Sequence, residues 1–203
     1  MVFLSLLLAA AAAAGASGVA VQVQDAAGKA LPDTVIYIEP EGAAPAGGKP
    51  AAALIEQKGL KFLPLVTVVQ TGATINFPNN DKVRHHIYSF SPAHKFDQKL
   101  YSGQAASPQV FDRAGTVVLG CNIHDKMIAY IKVVDTPYFA RTDGAGAARI
   151  ELPAAGKYVV KAWHYNTAGG ATPEQTLTVK AGELATALFK LPMKPPVTGD
   201  AGT

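Results

Sequence analysis

The sequence predicts an all-β protein made of two β-sandwiches. Three observations carry this. Short apolar runs with period two recur along most of the chain, Gly- and Pro-rich turns separate them, and no long helical pattern is present. The chain has 203 residues with 19 glycines and 14 prolines, enough for one large domain or two small ones. Many short strands at regular spacing are the usual composition of sandwiches.

The elements follow in order. Val19 to Asp25 alternates apolar and polar residues, and Ala26-Ala27-Gly28-Lys29 turns the chain. Thr34 to Ile38 is a second strand. Residues Glu39 to Ala53 are rich in Pro, Gly and Ala and read as a linker or long loop. Leu65 to Val69 and Thr74 to Phe77 flank a Thr71-Gly72 turn. Thr116 to Leu119 and Ile128 to Val134 are strands on either side of a short polar loop. Arg149 to Leu152, Tyr158 to Trp163, Gln175 to Val179 and Ala185 to Leu191 complete the strand set. Periodicity stops at Pro192, and residues 193–203 read as a disordered Gly/Pro tail.

Composition excludes several functions. Val2 to Ala14 is an apolar run, mostly Leu and Ala, too short to span a bilayer comfortably. Gly15-Ala16-Ser17-Gly18 follows it, and Ala14-Gly15-Ala16 fits a small-residue cleavage site. Residues 1–16 therefore read as a secretory signal peptide, although no Lys or Arg precedes the run. The expected location is periplasmic or secreted. No later segment approaches the ~20 apolar residues of a spanning helix, so no membrane span is expected. The formal charge is +3, with no basic run and no interleaved aromatics, which excludes a nucleic-acid partner. A single cysteine in an exported chain forms no internal disulfide and is a free thiol, an intermolecular link or a ligand. Oxidising compartments favour the last.

That cysteine carries most of the functional information. Cys121 stands in Leu119-Gly120-Cys121-Asn122-Ile123-His124-Asp125-Lys126-Met127. A thiol, an imidazole and a thioether thus recur every third residue. His85-His86 lies upstream as a second source of imidazole. Two histidines, one cysteine and one weak methionine suit a mononuclear copper electron-transfer site. Val117, Leu119 and Cys121 fall on one face of a strand, which brings the sulfur to the rim of a sandwich core. The further ligand is one of His85 and His86, and alternation puts these on opposite faces. His94 and His164 have no spacing partners and read as surface or structural. Cys121 with His124 lacks the orienting group of a nucleophile–base pair. Asp143-Gly144-Ala145-Gly146 lacks the remaining ligands of a calcium loop, and five dispersed histidines do not make a second, catalytic metal cluster.

Residues 53–135 resemble the cupredoxin family. Phe62 to Val68, then Gly72-Ala73-Thr74-Ile75-Asn76-Phe77-Pro78-Asn79-Asn80-Asp81, look like its early strands and first ligand approach. Phe111-Asp112-Arg113-Ala114-Gly115-Thr116 looks like the entry to its cysteine strand. The Cys-x-x-His-x-x-Met spacing is similar to that of amicyanin- and plastocyanin-like members. The run through Asp135-Thr136-Pro137-Tyr138-Phe139 resembles a bacterial, methylamine-utilisation-type subgroup. Family sites have an apolar residue two after the first ligand histidine. Ile87 satisfies this for His85, so the resemblance implies copper held by His85, Cys121 and His124 with Met127 axial. His86 stands where the family has an Asn that ties the two ligand segments together, so the resemblance leaves that tie open.

The flanks resemble carboxypeptidase-regulatory-like sandwiches, through Val21 to Pro32, Thr142 to Gly146, Leu152 to Val160 and Val179 to Glu183. The expected organisation is therefore a discontinuous outer sandwich, residues 19–45 and 136–192, interrupted by a copper domain at 53–135. Insertion at an exposed loop is tolerable because closure entropy grows slowly with loop length. The resemblance implies a carrier of single electrons rather than an enzyme, with a dehydrogenase or cytochrome as redox partner. The alternatives are a copper-binding or chaperone module and a structural sandwich protein without a redox role.

Overall fold

Alternation along the chain becomes buried and exposed faces. The computed structural model describes residues 16–42, 48–102 and 107–195. Residues 1–15 of the expected signal peptide, 43–47 of the expected linker and 196–203 of the expected tail lie outside the described residues. Among the described residues the protein is all β, with seventeen strands and no helix. Among those residues, accordingly, no helix is long and apolar enough to cross a membrane.

The strands are β1 (Gly18–Asp25), β2 (Val35–Pro40), β3 (Ala53–Leu54), β4 (Glu56–Gln57), β5 (Phe62–Leu63), β6 (Val66–Gln70), β7 (Ala73–Asn76), β8 (His85–Ser89) and β9 (Phe96–Tyr101). They continue as β10 (Gln109–Phe111), β11 (Gly115–Cys121), β12 (Ile128–Val134), β13 (Phe139–Arg141), β14 (Ala147–Glu151), β15 (Gly156–Trp163), β16 (Glu174–Val179) and β17 (Leu184–Leu191).

The outer sandwich draws on both flanks of the chain. One sheet has the order β14-β1-β17 and the other β13-β2-β15-β16. Val21 of β1 lies opposite Ala148 on one side and Ala187 on the other. Val19, Val21, Val23, Ile36, Ile38, Val160 and Phe189 fill the space between the two sheets. The strands between β2 and β13 build the inner sandwich. Its five-stranded sheet runs β6-β12-β11-β8-β9, and β10-β7-β3 covers it. Ile75, Phe77, Ile87, Phe111, Leu119 and Ile131 form its core, and Phe62 from the small β4-β5 ribbon joins them.

A third apolar cluster welds the sandwiches together. Val35 and Tyr37, on the opposite face of β2 from Ile36 and Ile38, meet Val66 and Val134, with Tyr130, Trp163 and Tyr165 around them. This is why Val35-Ile36-Tyr37-Ile38 reads as an unbroken apolar run: all four residues are buried. Tyr130 stacks on Tyr165 with centroids 4.6 Å apart. Lys132 lies over the rings of Tyr37 and Trp163 at 5.6 and 5.5 Å. Burial there, with Lys161 nearby, pushes its ammonium below the ordinary range. Arg141 closes the rim, donating to the Val66 carbonyl and pairing with Asp33 at 3.0 Å.

Several boundaries differ from the sequence expectation. β2 continues to Pro40, which lies opposite Tyr158 at the strand end, where a missing N–H is tolerated. β10 and β13 have only three residues each, too few to show a period. Beyond Pro192 the chain is held for a further stretch. Met193 bridges to Thr167 and packs on the outer core, and the Lys194 N–H donates to the Asn166 carbonyl at 3.0 Å.

One glycine in the outer sandwich is fixed by both its backbone and its surroundings. Gly146 closes the turn after Asp143, whose Oδ1 accepts the N–H groups of Ala145 and Ala147. Its φ is +73°, and an added Cβ would lie 2.5 Å from the Val23 carbonyl oxygen. Left-handed strain and backbone overlap act together, so Gly146→Ala is expected to cost about 2–4 kcal/mol. Urea unfolding at unchanged slope measures this, and a loss below about 0.5 kcal/mol, the scale of a neutral surface change, would contradict the packing described.

Candidate metal centre

Strand β11 delivers the sulfur. Val117, Leu119 and Cys121 are buried, whereas Val118 between them faces outward. β11 pairs with β8 so that Cys121 lies opposite Ile87 and Gly120 opposite Tyr88. His85 is two residues before Ile87 and shares its face, and both are fully buried. The β8–β9 register shifts between His85 and Ile87, as a bulge does. His86 takes the outer face, where its Nε2 meets the Asp97 carboxylate and its ring lies edge-on to Tyr88. The pleat thus separates the twin histidines and turns only His85 toward the sulfur.

The loop after Cys121 returns the chain to the core. The Asn122 N–H donates to the His86 carbonyl at 3.2 Å. This main-chain bond ties the two segments, so the tie that the sequence left open does not need an Asn side chain at position 86. The Met127 N–H donates to the His124 carbonyl at 2.9 Å and closes the turn. Met127 then enters the inner core, with only 2% of its surface exposed.

Three of the four candidate residues, His85, Cys121 and His124, therefore gather in one cluster of the inner sandwich. Cys121 Sγ lies 3.8 Å from Nδ1 of His85 and 3.8 Å from Nδ1 of His124. The two rings meet edge to face, with centroids 5.0 Å apart. One ligand atom from each of His85, Cys121 and His124 falls within 4.8 Å of the other two, and no other such His/Cys/Asp/Glu group occurs among the described residues. Met127 and Cys121 line a cleft of about 410 Å³ together with Tyr88 and Phe90. Tyr88 packs closely on Gly120, where an added Cβ would come 2.7 Å from the ring.

Neighbouring groups hold the cluster in place. Asp81 Oδ2 lies 2.8 Å from His85 Nε2. The Asp81 carboxylate also accepts the backbone N–H groups of Gly59 at 2.6 Å and Leu60 at 3.1 Å. Burial tends to raise the Asp81 carboxyl, but the hydrogen bonds from His85, Leu60 and Gly59 outweigh it and hold the group below the ordinary carboxylate range. Tyr101 lies opposite His85 on β9, donates to the Phe77 carbonyl at 2.5 Å and accepts from Gln57. Burial pushes its hydroxyl up to about 12, the Gln57 bond opposes this, and charge on Cys121 adds to the rise. Tyr101 therefore stays protonated and keeps donating. Its signal in the sequence was too diffuse to find. Asp81 left a better trace, a carboxylate four residues before a histidine in the Asn79-Asn80-Asp81 turn.

The other two histidines lie elsewhere. His94 packs on Phe111 and Phe96, with Nε2 3.3 Å from Gln109 Oε1. His164 is buried, stacks on Tyr165 and accepts the Asn166 N–H through Nδ1. Burial pushes it below its ordinary value.

The donor set fits a soft first-row ion. Donors 3.8 Å apart suit a shared ion with bonds of roughly 2.0–2.3 Å, the imidazole and thiolate range. A thiolate with two imidazoles and a weak thioether matches copper, whereas structural zinc sites take four strong donors.

No family model matches this chain, and no curated protein matches it. Solved structures do resemble it. A novel purple cupredoxin from Nitrosopumilus maritimus is 21% identical, with 40% of this chain and 99% of that one covered and a TM-score of 0.36. A mutant of amicyanin in its reduced Cu(I) form at pH 4 is 19% identical over 49% of this chain and 98% of its own, with a TM-score of 0.38. A Cu-containing nitrite reductase from Thermus scotoductus SA-01 is 21% identical over 47% of this chain but only 25% of its own, with a TM-score of 0.39.

Proposed function

We propose that this chain is an exported type 1 copper protein that carries single electrons between redox partners. Copper would be held by His85, Cys121 and His124, with the thioether of Met127 as a weak further donor. One observation carries this: Sγ of Cys121 and Nδ1 of two histidines from separate strands and loops converge at 3.8 Å. When bound, copper supplies a one-electron couple. The protein's part is to present the donors in a fixed arrangement. His85 is locked by Asp81, Cys121 is fixed in a paired strand and Met127 is packed in the core. A partly exposed His124 offers the path to a partner. The burial of His85 and Cys121, away from any substrate in solution, favours a carrier over an enzyme.

The finer assignments rest on the sequence. The apolar leader at residues 1–16 supports export to the periplasm. The resemblance to the methylamine-utilisation-type subgroup supports a dehydrogenase or cytochrome as partner, and contacts of that kind are small and transient. The resemblance to carboxypeptidase-regulatory-like sandwiches supports a copper domain at 53–135 inserted in an outer scaffold at 19–45 and 136–192. The deciding experiment adds Cu(II) to the purified protein and records visible and electron paramagnetic resonance spectra. An intense, reversibly bleached thiolate-to-copper band is expected. Colourless Cu(I) binding alone would make the protein a copper-binding module, and no binding at all would leave a structural sandwich.

Met127→Leu separates axial donation from packing. The two side chains have similar volume, so stability should change by less than about 1.5 kcal/mol. Losing a weak donor costs Cu(II) more than Cu(I), so the copper should remain and its reduction potential should rise. An unchanged potential would make Met127 a core residue only.

A further inference from the structure

The geometry assigns Asp81 a role as the positioning residue that sets His85 as a metal donor before any metal arrives; this rests on His85 being a ligand. Three donors converge on one carboxylate. Oδ1 accepts the Gly59 N–H at 2.6 Å, and Oδ2 accepts the Leu60 N–H at 3.1 Å and lies 2.8 Å from His85 Nε2. Both oxygens of Asp81 already act as acceptors, toward the main-chain N–H groups of Gly59 and Leu60, and we read the short contact to His85 in the same sense, with Nε2 donating. Nδ1, the atom that faces Cys121 Sγ, is then the one left to bind a metal. The tautomer needed for binding is already selected in the metal-free protein.

The same carboxylate also holds the turn at residues 59–60. Gly59 and Leu60 both have positive φ, 62° and 58°. Leucine seldom adopts that conformation without a constraint. Asp81 supplies one by taking both N–H groups, and the Lys58 N–H closes the turn on the Lys61 carbonyl at 3.0 Å. His85 is left fully buried while Asp81 keeps 13% of its side chain exposed. Asp81 therefore fixes the tautomer of His85 and anchors the strained turn through one carboxylate. Asparagine cannot replace it, because its single acceptor oxygen cannot serve donors approaching two oxygens from different sides.

The first test needs no copper. Nitrogen-15 NMR of the metal-free wild-type protein should show His85 as the Nε2–H tautomer, with a ring proton protected from exchange. Finding the Nδ1–H tautomer there would overturn the assignment, whether or not any variant folds. Asp81→Asn should lose that selection, and Asp81→Glu should restore part of it. Asn80→Ala removes the neighbouring bond to Glu56 without touching His85 and should leave the tautomer unchanged. With copper, Asp81→Asn should weaken Cu(II) binding about 10–100-fold. If Cu(I) binding is untouched, each tenfold raises the potential by about 59 mV. A loss of stability in Asp81→Asn equal to that of Asn80→Ala, with tautomer and potential unmoved, would reduce Asp81 to a turn anchor. Failure of the wild-type protein to bind copper would refute the proposed function and not the tautomer assignment.

Discussion

Cys121→Ser is expected to abolish the visible charge-transfer band completely, the largest change a single substitution should make in this protein. Cys121 is the chain's one cysteine, so its removal takes away the sulfur donor orbital behind the colour. The hydroxyl is a poor ligand for Cu(I) in a site that otherwise offers two imidazoles and a thioether. Copper affinity should fall by more than the roughly 10–100-fold caused by losing a supporting hydrogen-bond partner. The metal-free protein should lose about 1–3 kcal/mol, because a hydroxyl replaces the sulfur of a residue that is 3% exposed, and its imidazole neighbours stand 3.8 Å away, beyond the reach of a good O–H hydrogen bond. Copper titration with visible spectroscopy, alongside urea unfolding, measures both effects. An intense band surviving in the serine variant would end the assignment.

The twin histidines give the second large contrast. His85→Ala deletes a fully buried ring, leaves a cavity and strips Asp81 of its partner. A stability loss of about 2–5 kcal/mol follows from such large-to-small changes, together with loss of the native copper spectrum. His86→Ala removes an outward-facing ring whose partner, Asp97, is itself 58% exposed. Its stability should stay within about 0.5 kcal/mol, with the copper spectrum kept and at most a shifted potential. Spectra and thermal unfolding of both variants give the answer. A reversal would mean that β8 is displaced by one residue, since a one-residue slip exchanges the two faces.

How much was legible in the sequence differs from element to element. Strands buried on one face announced themselves. The alternation of Val19, Val21 and Val23 and of Val117, Leu119 and Cys121 was enough to give the strand and its inner face. Strands shorter than a period, such as β10 and β13, could not. β9 was hidden for another reason: its Asp97, Lys99 and Leu100 are exposed, and an edge strand gains too little burial to impose a pattern. The weld between the sandwiches left only an indirect trace, the unbroken apolar run of β2. A second buried face shows in the sequence as missing polarity, without naming what covers it.

The sequence by itself determined the fold class, the single thiol, the Cys-x-x-His-x-x-Met loop and the placing of His85 and His86 on opposite faces of a strand. These are local properties, set by residue type and by a spacing of two or three positions. Only the tertiary structure decided that β8 lies against β11, so that His85 meets Cys121 across 36 positions of chain. It also showed that a main-chain bond from Asn122 ties the ligand segments, and that Asp81 clasps both His85 and the turn at 59–60. Such pairings depend on strand order and register. Those are fixed by the burial of two whole faces at once, a sum over distant residues that no short window of sequence contains.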